Sequence, residues 1–115
     1  MTRRVLIVLK SPPQEAGLFE ALRIVLSFVG MDLLPHVVFA DDAVLAFSPR
    51  AVFPHKRVRE YLESVVEMTD ACIDLESLSD GGLDYDSIRQ LWALRGITPE
   101  EFGALIIDAE TVFAL

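Results

Sequence analysis

The sequence predicts an α/β fold, a three-layer α/β/α sandwich around a mostly parallel sheet of about five strands. Three observations carry this. Short runs rich in Val, Ile and Leu are apolar throughout instead of alternating, as strands covered on both faces must be. Longer stretches between them repeat their apolar residues at helical spacing. Strand and helix patterns then alternate along 115 residues, of which 52% are hydrophobic, enough for one domain with a substantial core.

Arg4 to Leu9 is the first strand, ended by Ser11-Pro12-Pro13. Leu18, Leu22, Val25, Leu26 and Val29 line one face of a helix from Glu15 to Val29, with Gly30 as its stop. Pro35 to Ala40 forms the second strand. Asp41 or Asp42 then serves as N-cap of a short helix through Phe47, closed by Ser48-Pro49. A second long helix, His55 to Met68, presents Val58, Tyr61, Leu62, Val65 and Val66. Ala71 to Leu75 reads as strand three, Glu76 to Gly82 as one helical turn with a glycine stop, and Gln90 to Arg95 as strand four. Thr98-Pro99-Glu100-Glu101 has the form of a capping box, and the helix it opens runs to about Ala109 before a terminal strand, Thr111 to Leu115.

Charge narrows the partners. Ten Lys and Arg against 18 Asp and Glu give a net charge of −8, which disfavours nucleic acid. Residues 1–60 balance at +2 (8 basic, 6 acidic), whereas residues 61–115 stand at −10 (2 basic, 12 acidic). The single Cys72 excludes an intramolecular disulfide and points to a reducing compartment. The apolar run of residues 5–9 ends at Lys10, too soon for a secretory leader, and residues 24–40 are interrupted by Gly30, Asp32, Pro35 and His36, so no membrane span is expected. A soluble, cytoplasmic protein is the expectation.

Parallel sheets gather function at the C-terminal ends of their strands. Those ends hold Lys10 and Ser11, Asp41 and Asp42, and Leu75 with Glu76, a mostly acidic set to which Asp74 adds a further carboxylate. Only Gly17 lies in the first strand-to-helix turn, so a phosphate cradle is poorly supported. The carboxylates could hold a divalent cation or simply cap helices. A phosphoacceptor receiver domain fails at its first requirement, because strand one ends in Lys10 and Ser11 and not in an acidic pair. No cofactor and no resident metal are expected. Cys72 lies within a strand beside Asp70 and Asp74, a setting that favours a small buried hydrophobe over a nucleophile. Trp92, Tyr61 and Tyr85 read as packing or interface aromatics, and a mean hydropathy of +0.40 suggests that another subunit covers apolar surface.

Several stretches together resemble the DsrE/DsrF/DsrH-like sulfur-relay family, which includes the TusD, TusC and TusB proteins of tRNA thiolation. RRVLIVLKSPPQEAG is similar to the family's opening strand and loop, and GLFEALRIVLSF to its first helix. FADDAVLAF resembles its strand-end Asp-Gly-Val pattern, with Asp42 on the Asp and Ala43 in place of Gly. Ser77-Leu78 and Gly82-Leu83 fall on the family's spacing after strand three, and TPEEFGALIIDAETVFAL looks like its last helix and strand. The resemblance implies an α/β sandwich assembling into homo- or hetero-oligomers, trimers or hexamers, with related subunits and with sulfur donor or acceptor proteins. In the DsrE and TusD branch a strand-three cysteine carries persulfide sulfur. Here that position falls on or beside Asp74, and Cys72 lies two residues upstream, ~7 Å deeper in the sheet. The expectation is therefore a non-catalytic subunit of the DsrF/TusC or DsrH/TusB kind in tRNA thiolation or sulfur oxidation. The alternatives are a persulfide carrier using Cys72, and a small-ligand or cation site at Lys10, Ser11, Asp41, Asp42, Asp74 and Glu76.

Overall fold

A computed structural model describes residues 4–115 and places five parallel strands in one sheet ordered β4-β3-β2-β1-β5. They are β1 (Val5–Leu9), β2 (His36–Phe39), β3 (Asp70–Asp74), β4 (Arg95–Ile97) and β5 (Thr111–Ala114). Helices cover both faces, so the three-layer α/β/α arrangement holds, and every strand pairing is parallel. Among the described residues no helix is long and apolar enough to cross a membrane.

Alternation along the strands sorts the core into two layers. Val5, Ile7, Leu9, Val37, Phe39, Ala71 and Ile73 point to one side, where α1 (Ala16–Gly30) supplies Leu18, Leu22 and Val25, and α2 (Lys56–Met68) supplies Val58, Leu62 and Val65. Leu6, Val8, Val38, Ala40, Cys72 and Ile97 point to the other side. There the cover is one helix, α5 (Pro99–Asp108), through Phe102, Leu105 and, just beyond its end, Ala109. The second layer is consequently thinner, and none of the residues of α5 is fully buried.

The capping box forms as its spacing predicts. Glu101 N–H donates to Thr98 Oγ1 at 3.2 Å and Thr98 N–H to Glu101 Oε1 at 3.1 Å. Likewise α3 (Leu75–Asp80) is a short helix ended at Gly81, with Gly82 at φ 71°, a backbone conformation that favours glycine.

Four expectations need correction. Residues 90–94 are turn and loop, because Trp92 and Leu94 reach the core from a turn after α4 (Tyr85–Arg89), and β4 begins only at Arg95. The segment Asp41–Phe47 is 3₁₀ and its N-cap is Ala40; neither Asp41 nor Asp42 makes a side-chain cap. Gly30 is the last residue of α1, and the left-handed turn after it is made by Asp32 at φ 59°. Leu75 opens α3 instead of closing β3, and the boundaries of the other elements shift by about one residue.

Candidate functional site

The sheet's polarity brings the ends of β1, β2 and β3 together, as the strand order requires. Lys10 follows β1 directly, and its Nζ lies 4.0 Å from Asp41 Oδ2, with both side chains exposed. Ser11 is half-buried against α1, its Oγ so close to Gly17 that a Cβ there would sit 2.9 Å from it. The missing Cβ at Gly17 is what leaves room for the Ser11 side chain.

Asp41 has φ 50°, an unusual backbone conformation for a residue with a side chain. A hydrogen-bond chain to β3 holds it there. Asp41 N–H donates to Ser77 Oγ at 2.9 Å, and Ser77 Oγ–H donates to Asp74 Oδ2 at 2.7 Å. Asp74 and Ser77 are both buried, and Asp74 Oδ1 has no hydrogen-bond partner among the described residues. Asp74 therefore works as an internal brace between the ends of β2 and β3. Ser77, which the sequence marked only as half of a spacing pattern, is the hinge of that brace.

Above it, Asp41, Asp42, Val44, Leu45, Ser77, Asp80 and Gly81 line an open cleft of about 480 Å³. Asp80 is the member that sequence reasoning missed. It is the last residue of α3 and lines the same cleft as Asp42. Glu76 is exposed and does not line the cleft. Among the described residues no three of His, Cys, Asp and Glu are arranged to hold a metal ion, so the cleft is acidic without being a cation cage.

Cys72 belongs to a different place. It is fully buried on the α5 side of the sheet, paired in register with Val38 on β2 and Arg95 on β4. Arg95 Nη2 donates to Cys72 Sγ at 3.3 Å and also reaches Asp70 Oδ2 at 3.5 Å. His36, in register with Asp70, has Nδ1 2.9 Å from Asp70 Oδ2, but the ring N–H is out of line and the atom remains unbonded. Burial pushes the Cys72 thiol upward, the Arg95 cation opposes it, and Asp70 adds to the rise. The Cys72 charge and hydrogen bond in turn hold Arg95 above its ordinary value. Arg95 was invisible as a cysteine neighbour in the sequence, because the β4 register was set five residues too early.

No protein-family model and no curated protein sequence matches this chain. Among solved structures, the ychN protein from E. coli superposes with a TM-score of 0.75 over 100% of both chains at 15% sequence identity. At that identity the likeness is one of fold, an α/β sandwich of the same size and layout.

Proposed function

We propose that this chain is a non-catalytic subunit of a DsrE-like sulfur-transfer assembly. The observation that carries this reading is at β3. The resemblance puts a carrier thiol on or beside Asp74, which here is bound to Ser77, while Cys72 is buried beneath α5. A buried thiol pushed upward is mostly protonated at neutral pH, and the thiolate is the form that accepts sulfur. The role left to the chain is to hold a related, cysteine-bearing subunit, and the thinly covered α5 side supplies apolar surface for that purpose.

A second reading, persulfide carriage on Cys72, draws support from the Arg95 guanidinium 3.3 Å from its sulfur, since a cation favours the thiolate. Incubation with a cysteine desulfurase and ³⁵S-labelled cysteine separates the two. The expected outcome is no label on the folded chain, and alkylation of Cys72 only after denaturation. Label that disappears in Cys72→Ser would establish the carrier reading instead. Native mass spectrometry with a cysteine-bearing DsrE-like subunit then tests for the mixed complex.

A further inference from the structure

The two edges of the sheet are not equally protected. β4 is three residues long, carries Arg95 and is followed closely by Pro99, all features that discourage another strand from adding. β5 reads Thr-Val-Phe-Ala, with no charge, proline or glycine. Its inner side is used by β1: Thr111 N–H donates to Arg4 O at 3.3 Å and Leu115 N–H to Val8 O at 2.8 Å. Alternate residues of a strand turn their N–H and C=O to opposite sides, so those of Val112 and Ala114 face outward. Exposed apolar side chains flank this open edge. Val112 and Phe113 are 41% and 40% exposed, on opposite faces of the sheet.

We propose that β5 pairs antiparallel with β5 of a second copy of this chain, about a two-fold axis perpendicular to the sheet, joining two five-stranded sheets into one of ten. The register follows from which groups are free. With Phe113 opposite the partner's Phe113, Val112 exchanges both backbone hydrogen bonds with the partner's Ala114, and the two-fold repeats the exchange. Four bonds form.

Charge at the seam argues for a second copy over an unrelated strand. Glu110 stands at the start of β5, and Lys10 stands beside its end, where Lys10 N–H donates to Leu115 O at 2.7 Å. Antiparallel pairing sets Glu110 two strand spacings, ~10 Å between Cα atoms, from the partner's Lys10, within reach of two long side chains. The two-fold places this opposite-charge pair at both ends. Among the described residues Lys10 has only the loose 4.0 Å approach to Asp41 to give up.

Light scattering after size exclusion, across a range of protein concentrations, reads the assembly. The wild-type chain is expected at an even multiple of 12.8 kDa. Ala114→Pro removes one outward N–H per copy, which the isolated fold does not use, and is expected to weaken pairing at least about tenfold with the circular dichroism spectrum unchanged. A wild-type chain that stays monomeric, or association unchanged by Ala114→Pro, overturns the proposal. Should Ala114→Pro not fold, oxidation of Phe113→Cys decides. Cysteines at a non-hydrogen-bonded pair are within disulfide reach, and a covalent dimer is expected. Failure to cross-link overturns the pairing. These outcomes are independent of whether the protein carries sulfur.

Discussion

At Cys72 two influences compete: burial withholds the water that a thiolate needs, and Arg95 offers it a cation. Burial is the larger, so the folded chain keeps its thiol proton above the ordinary value of 9.0. The sign of the pH effect follows. Below that value both folded and unfolded chains are protonated and the thiol adds no pH dependence. Above it the unfolded chain releases a proton that the folded chain retains, so stability falls as pH rises toward the raised folded value, by up to ~1.4 kcal/mol per pH unit. Tyrosines and lysines titrate in the same range, so the contrast with Cys72→Ala isolates the thiol. Urea unfolding between pH 8 and 10.5 is expected to show the wild-type midpoint falling more steeply than that of Cys72→Ala. Parallel slopes would mean that the buried thiol ionises freely. The sequence made the burial legible, through a cysteine inside an apolar strand flanked by Asp70 and Asp74. It hid Arg95, because that contact depends on pairing between β3 and β4.

The elements that were legible are those whose own apolar pattern is long enough to declare a period. β1, β2, β3, α1, α2 and α5 all lie within a residue or two of where their patterns place them. β4 was not, for a physical reason. Trp92 and Leu94 look like strand residues, yet they enter the core from a turn, and the strand proper is only Arg-Gly-Ile. What fixes that strand comes from α4. The Tyr85 hydroxyl donates to Leu94 O at 2.8 Å and accepts from Gly96 N–H at 2.9 Å, bridging the start of β4. Gly96 leaves space for it: a Cβ there would sit 2.7 Å from Leu75 Cδ2 and 3.0 Å from Tyr85 Cζ. Removing only the hydroxyl, in Tyr85→Phe, leaves a partly buried N–H and a carbonyl without their partner. A loss of about 1–2 kcal/mol is expected by urea unfolding. A change below about 0.5 kcal/mol would show that solvent replaces the hydroxyl and that packing alone holds β4.

Across the whole molecule the dominant electrostatic fact is unpaired negative charge. The ion pairs among the described residues all join partly or fully exposed side chains, and such pairs contribute little each. Repulsion spread over a net charge of −8 therefore outweighs them, with the 12 acidic side chains of residues 61–115 as its main source. Raising ionic strength from roughly 0.01 to 0.3 M shortens the screening length from about 30 Å to well below 10 Å. Repulsion between distant charges is lost while close pairs persist. Thermal unfolding at fixed protein concentration is expected to shift upward by a few degrees, corresponding to about 1 kcal/mol. The acidic cleft makes the choice of salt informative. Asp41, Asp42 and Asp80 share its walls but do not converge as metal ligands, so MgCl₂ and NaCl at equal ionic strength are expected to give the same shift within a degree or so. A larger, saturable rise with Mg²⁺, abolished in Asp42→Asn with Asp80→Asn, would place a divalent ion in the cleft and favour ligand binding over the proposed subunit role.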